Sequence, residues 1–125
     1  MTEEEISAIV LDKSIKVHKA LGPGLYESVY EECLVYELKS HGLSFVRQKE
    51  IPVIYEGIRM ELAYRCDLMI EEKVIVELKS VSGFDDLHIA QVLTYLKLTD
   101  CKLGLLINFN VELLKNGFRR IALNL

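Results

Sequence analysis

The element order of this sequence predicts a mixed α/β sandwich. Two helical stretches open the chain. Three apolar, alternating stretches with short connections follow, which makes them antiparallel neighbours. A third helical stretch then separates them from another apolar run, so it crosses over the sheet before one or two further strands. The whole is organised around Val74-Ile75-Val76-Glu77-Leu78-Lys79-Ser80. Its β-branched start reads as a strand buried on both faces. Strand alternation then puts Glu77 and Lys79 on one face and Val76 and Leu78 on the other. A charge inside a central strand is costly unless it is paired or bound to a metal. The plainer alternative is a strand that surfaces at its end, with both charges solvated.

The first helix is predicted over Glu3–Leu21, capped by Thr2, with Glu5 completing a capping box. Ile6, Ile9, Val10, Val17, Ala20 and Leu21 form its apolar stripe, and Gly22-Pro23 stops it. The second runs from Tyr26 to His41, with Val29, Cys33, Leu34, Tyr36 and Leu38 on its buried side. Glu27 lies in its first turn, where a carboxylate suits the helix dipole and needs no further role.

Two strands then meet at Glu56-Gly57. With those residues as the turn, Tyr55 pairs with Ile58, Val53 with Met60 and Ile51 with Leu62, all apolar. Pro52 marks the first of them as an edge strand. The second continues with Tyr64, Cys66, Leu68 and Ile70 on its apolar face and Arg65, Asp67 and Met69 on the other. Glu71-Glu72-Lys73 turns into the organising strand. A three-residue loop pairs Ile70 with Val74, Leu68 with Val76 and Cys66 with Leu78. That register also sets Asp67 opposite Glu77 and Arg65 opposite Lys79. A two-residue loop would mix apolar and polar faces. Directly opposed carboxylates repel, so the pairing needs a reason, and a cation supplies one.

Ser82-Gly83-Phe84-Asp85-Asp86 starts the third helix, which runs to Leu98 with Ile89, Val92, Leu93 and Leu96 in the core. His88, Gln91 and Tyr95 form a separate polar stripe, which a solvent face would also explain. Leu103–Phe109 reads as a buried strand. A helical turn near Val111–Lys115 and an Asn116-Gly117 turn lead into a last strand, Phe118–Leu123.

At 125 residues the chain suits a single domain, 1–125. Charges interrupt every apolar run, so no membrane association is expected. An acidic start and three scattered cysteines, Cys33, Cys66 and Cys101, point to reduced thiols in a cytoplasmic protein, without a zinc site. The net charge of −4 argues against strong non-specific nucleic-acid binding, although a cation amid clustered carboxylates would offset it locally.

Asp67 followed by Glu77-Leu78-Lys79, in this element order, resembles the PD-(D/E)XK nuclease superfamily. Gly24-Leu25-Tyr26-Glu27-Ser28-Val29-Tyr30 resembles the G-x-x-E-x-x-Y signature of the GxxExxY family, which is grouped with that superfamily. His18–Gly24, Gln91–Leu96 and Leu105–Phe109 are similar to it as well. The resemblance implies a restriction-endonuclease-like core and a nuclease-like site more firmly than nuclease activity. By it, Glu27 is the acid on the helix before the sheet and Asp67 the motif aspartate. Glu77 and Lys79 are the E-x-K pair, and Gln91 is the glutamine of the following helix. Cys66 stands where the superfamily name has proline.

Phosphodiester hydrolysis needs charge neutralised on the phosphate and a water activated. Mg²⁺, or Mn²⁺, suits hard oxygen ligands, here Asp67, Glu77, the Leu78 carbonyl and Glu27. Lys79 is expected to orient the attacking water, Gln91 to reach the phosphate or position Lys79, and Arg65 to touch phosphate, with His88 and Tyr30 behind them. The reading is a metal-dependent nuclease acting on DNA, with homodimerisation by analogy with small nucleases. The competing reading is a non-catalytic module of the same fold that binds a protein partner or nucleic acid. A third is a plain buried ion-pair network.

Overall fold

Thr2 starts the first helix as its sequence predicts: its hydroxyl oxygen accepts from the Glu5 N–H at 3.1 Å. In this computed structural model, which describes residues 1–125, α1 spans Glu3–Leu21 and α2 spans Glu27–His41. Gly42 closes α2 in the left-handed region, at φ 88°, where glycine carries no Cβ penalty. Five strands follow: β1 Phe45–Tyr55, β2 Ile58–Ile70, β3 Val74–Lys79, β4 Leu103–Asn108 and β5 Phe118–Ala122. They form one sheet in chain order, in which only β3 and β4 are parallel. The helix α3, Asp86–Thr99, makes that crossover, and Asp85 caps it in a reciprocal box with His88.

Strand alternation divides the core. Val74, Val76 and Leu78 pack with Ile6 and Val10 of α1 and with Tyr30, Leu34 and Leu38 of α2. Ile75 packs on the other face with Val92, Tyr95 and Leu96 of α3. Burying each such side chain contributes about 1.5–3 kcal/mol. A slip of one residue would turn all of β3 to the wrong faces, so its register is fixed by the core rather than by its charges. Glu77 therefore has to lie on the α3 side.

Several expectations need correction. The β1–β2 hairpin keeps Tyr55 opposite Ile58, but a bulge between Pro52 and Ile54 sets Ile51 opposite Tyr64 and Pro52 opposite Ala63. The predicted pairs of Val53 with Met60 and Ile51 with Leu62 do not form. Bulges add residues to one strand, and the pairing beyond them shifts. The alternation expected from Tyr64 to Ile70 also breaks: Cys66 lies in the α3 core, whereas Leu68 and Ile70 lie in the α1–α2 core, and Met69 is buried against α3. On α2, Tyr36 and Val29 are exposed and Cys33 is only partly buried, while Tyr30 and Glu31 are buried. On α1, Ala20 and Leu21 are exposed. The expected turn near Val111–Lys115 is a 3₁₀ turn at Leu114–Gly117.

The crossover helix rests closely on β4. A Cβ added at Gly104 would come within 2.4 Å of Val92 Cγ1, a short and buried side chain with nowhere to move. Gly104→Ala is expected to cost about 1–3 kcal/mol, the usual penalty for overpacking, read as a lowered urea midpoint with an unchanged slope. An unchanged midpoint would mean that α3 is free to lift from the sheet.

Candidate active site

The β2–β3 ladder ends at the pair Leu68–Val76. β3 continues against β4 through Lys79, and β2 continues against β1, so the two strands part while each stays in the sheet. Beyond that point the backbone N–H groups facing the gap have no strand partner, and a buried N–H left unpaired is costly. Two carboxylates take them. The Asp67 N–H donates to Glu77 Oε1 at 2.8 Å, and the Leu78 N–H donates to Asp67 Oδ2 at 2.8 Å. Backbone pairs of Asp67 with Glu77, Arg65 with Lys79 and Cys66 with Leu78 were expected. The structure instead joins the two strands by side-chain to backbone bonds, the Asp67 N–H to Glu77 and the Leu78 N–H to Asp67. Lys79 is half-buried at the end of the same strand.

This arrangement crowds negative charge. Glu77 is only 5% exposed, and burial together with the neighbouring Asp67 charge pushes its carboxyl up to about 8. The Asp67 N–H and the Lys79 charge pull the other way without prevailing. Asp67 is also raised by burial, with Glu27 adding to it, against the Leu78 N–H, the Gln48 amide and Lys79. Lys79 acts on both acids through space and not through a direct hydrogen bond. Behind Glu77, burial holds the Cys66 thiol at about 12 and raises the Tyr95 phenol, and the Glu77 charge adds to both. Neither is a nucleophile or an acid at neutral pH.

Helix α2 holds the site from two directions. Near its start, Glu27 accepts from the Ser80 N–H at 3.2 Å, just beyond Lys79, and the Ser80 hydroxyl donates to Leu25 O at 2.7 Å. Tyr30 is stacked on Phe109 with ring centres 4.4 Å apart; its hydroxyl donates to Gly22 O at 2.6 Å and accepts from the Leu25 N–H at 3.1 Å. One turn further on, buried Glu31 accepts from the Gln48 amide at 2.8 Å and from Arg47 at 2.8 and 3.1 Å. The same Gln48 amide reaches Asp67 Oδ1 at 3.3 Å. Gln48 sits at φ 48°, a left-handed conformation that costs a side-chain-bearing residue about 1–3 kcal/mol.

Of the residues singled out from sequence, Asp67, Glu77, Leu78, Lys79 and Glu27 are brought to one place, and Tyr30 stands behind Glu27. Gln91 is half-buried on α3 and its side chain makes no hydrogen bond. His88 is engaged at the α3 N-terminus, where its Nδ1 accepts from the Asp85 N–H at 3.1 Å. Arg65 is exposed on the projecting part of β2 and pairs across the strand with Glu50. Tyr95, expected on a polar stripe, is 2% exposed and belongs to the core. Sequence reasoning missed Glu31 and Gln48. A signal existed for Glu31: an acid within the buried stripe of Tyr30, Leu34 and Leu38 needs a partner. Gln48 had none.

No group of three or more His, Cys, Asp and Glu side chains is gathered as a ready cation cage. The two acids nevertheless suit a hard cation. Each uses one oxygen for a backbone N–H. Glu77 Oε2 makes no hydrogen bond, and Asp67 Oδ1 has only the long contact from Gln48. Leu78 directs its backbone into the same gap, as its N–H shows, whereas the Lys79 carbonyl accepts from Phe109 on the β4 side.

A five-stranded mixed sheet covered by helices on both faces, with paired acids where its second and third strands separate, defines a nuclease-like α+β core. The chain belongs to the PD-(D/E)XK nuclease superfamily, whose sequence profile matches residues 4–121. Enzymes of that superfamily usually use divalent metal ions and act on nucleic acid. The crystal structure of SSO0001 is similar, with a TM-score of 0.52 at 19% sequence identity. The match covers 75% of this chain and 47% of that one, so this chain spans about half its length, and the likeness is one of fold. No curated protein matches the sequence.

The raised Glu77 carboxyl makes stability depend on pH with a definite sign. The fold favours the protonated acid. Its contribution is therefore complete below the ordinary carboxylate range, near 4.5, and is lost as pH rises through about 8. In chelator, the melting temperature should fall from about pH 5 to about pH 9, and Glu77→Gln should flatten that fall. Parallel curves for the two proteins would show that Glu77 ionises freely in the fold.

Proposed function

We propose that this chain is a metal-dependent phosphodiesterase acting on DNA, with Asp67, Glu77 and Lys79 as its catalytic core. We further propose that it is a GxxExxY-type member of its superfamily, with residues 1–125 acting as a single domain. The observation that carries this reading is the pair of half-used carboxylates crossed over the strand gap, one of them held protonated by burial and by the charge of the other. A structural ion-pair network would place a cation against them, and Lys79 makes no such direct contact. A divalent ion relieves the repulsion that the fold leaves in place.

In this reading Asp67, Glu77, the Leu78 carbonyl and Glu27 would hold Mg²⁺ or Mn²⁺. When bound, the ion supplies charge neutralisation at the phosphate and a more acidic water. Lys79 offers its ammonium protons to the attacking water and to a phosphate oxygen, fixing the line of attack. Gln91 donates its amide to the phosphate from α3. Tyr30 and Ser80 keep the loop before α2 at the end of β3, so that Glu27 stays beside Lys79. Arg65 contacts phosphate further along the strand and His88 fixes the start of α3. Sequence specificity, where there is any, would come from a second copy or a protein partner. No helix is long and apolar enough to cross a membrane.

The test is nicking of supercoiled plasmid, and cleavage of single-stranded and branched DNA, with Mg²⁺ or Mn²⁺. Glu77→Ala and Lys79→Ala, purified in parallel, should each lose at least about a hundredfold in rate. Chelator should abolish cleavage. Activity that persists in both variants would place the chemistry elsewhere. Saturating Mn²⁺ should raise the melting temperature of the wild type, by about 2.7 kcal/mol of stability at a hundredfold excess over its Kd, and not that of Asp67→Ala. Metal binding without cleavage of any nucleic acid would favour the module reading, which the net charge of −4 already supports.

A further inference from the structure

Tyr26 is 83% exposed, although the segment that carries it is held by several hydrogen bonds. It precedes Glu27 and stands at the N-cap position of α2, with no capping bond from its own side chain. On either side of it the loop is pinned: before it, Leu25 is bonded through its carbonyl to Ser80 and through its N–H to Tyr30, and Gly22 accepts from Tyr30; after it, Glu27 accepts from the Ser80 N–H. A large aromatic ring is thus presented to solvent on a rigid mount, so little conformational entropy is lost when something covers it. Neither the core nor the helix cap explains it.

The ring borders a cleft of about 520 Å³ lined by Gly24, Leu25, Tyr26, Val29, Ser80 and Asn110. An adjoining cleft shares Leu25, Tyr26 and Ser80 and is bordered by Glu27 itself. The second cleft thus reaches Glu27, whose carboxylate accepts from the Ser80 N–H next to Lys79, at the margin of the acid site. The Ser80 hydroxyl donates to Leu25 O and the Asn110 amide N–H to Val81 O, so each presents an oxygen as acceptor; an apolar ring and two aliphatic side chains beside two acceptors match a nucleobase, which has an apolar face and an edge with N–H donors.

We infer that this cleft binds an unpaired base next to the scissile phosphate, with Tyr26 as its stacking platform, so that the substrate strand is single or locally opened at the cut. The inference rests on the phosphodiesterase reading for the identity of the neighbouring site. In a duplex the bases are stacked on one another, and no base face is free to meet an exposed ring. An unpaired base has a free face, and stacking on an aromatic side chain is sequence-tolerant. The charge points the same way. Duplex binding draws on many phosphate contacts by Lys and Arg, whereas this chain carries a net −4, and its Arg47 is already engaged by Glu31 and Glu32. Stacking supplies affinity that does not depend on a basic surface.

The chain has no tryptophan, so Tyr26→Trp places a single reporter in the cleft. With Ca²⁺ in place of Mg²⁺ to prevent turnover, a labelled strand of about 12 nucleotides and its blunt duplex are titrated and followed by anisotropy. The single strand should quench the indole emission of the Tyr26→Trp variant and the duplex should not. Tyr26→Ala should bind the single strand about five- to a hundredfold more weakly, and Tyr26→Phe, which keeps the ring, should bind like the wild type. Wild-type affinity in Tyr26→Ala would overturn the inference. So would unchanged emission while the labelled strand is bound, or no binding of the single strand at all. The two readings separate cleanly. Cleavage that needs Glu77 but is indifferent to Tyr26→Ala on every substrate keeps the enzyme and removes the stacking platform. Quenching and Tyr26-dependent binding without cleavage keep the platform and remove the enzyme.

Discussion

Two backbone N–H groups govern this structure. Where β2 leaves β3, Asp67 and Leu78 would each bury a donor without a partner, and the penalty is about 1–3 kcal/mol for each. The carboxylates of Glu77 and Asp67 satisfy them reciprocally, across the gap, at 2.8 Å each. Separation of the strands and gathering of the acids are thus one event. If the ladder continued, the acids would be ordinary opposed side chains on one face. Because it stops, each acid has one oxygen fixed to the backbone of the other strand, while Glu77 Oε2 makes no hydrogen bond and Asp67 Oδ1 has only the long contact from Gln48. That geometry is unusual for a salt bridge and well suited to a site, since the acids are oriented before any ligand arrives.

The opening in the ladder propagates to the neighbouring strand. Arg47 pairs with Leu68 and Lys49 with Cys66, while Gln48 between them takes φ 48°. At the same level, Leu68 joins the core under α1 and α2 whereas Cys66 joins the core under α3. Regular alternation would put them on one face. The strained residue therefore lies where the faces exchange, and Glu31 on α2 holds its amide there. Helix α2 braces both margins of the site, through Glu31 towards Asp67 and through Glu27 towards Ser80. The spacing of four residues between the two acids places them on one helix face, which is why one rigid element serves both.

Much of this was legible from sequence, for specific reasons. Helix bounds followed from Thr2, Gly22 and Gly42, whose chemistry is local. The β3 register followed from Val74, Val76 and Leu78, because one face had to be apolar. The same logic placed Asp67 beside Glu77, but it assumed an unbroken ladder and so supplied backbone pairing where side chains do the bonding. Errors concentrated where tertiary geometry overrides alternation: at the Pro52–Ile54 bulge, at the exchange of faces around Gln48 and Asp67, and on α2. There Tyr36 was read as buried, yet it is 69% exposed while Glu31 is nearly buried. The role of Gln48 could not be read at all, since a glutamine in a strand carries no mark of a left-handed backbone.

The crossed acids also leave the site electrostatically unfinished. The fold could have neutralised Glu77 with a lysine or arginine in direct contact, and the paired charge would then have been locally satisfied. Arg47, the one arginine of β1, is bound to Glu31 and Glu32. Lys79 stays close enough to act on the acids through space without touching them. What results is a buried carboxyl whose proton is retained up to about pH 8, an arrangement that weakens the folded state at neutral pH relative to an apolar isostere. Stability alone does not account for such a group. In the proposed reading, a cation with open coordination positions, or a ligand that brings one, would relieve this charge crowding at the place where β3 ends and Glu27 is anchored.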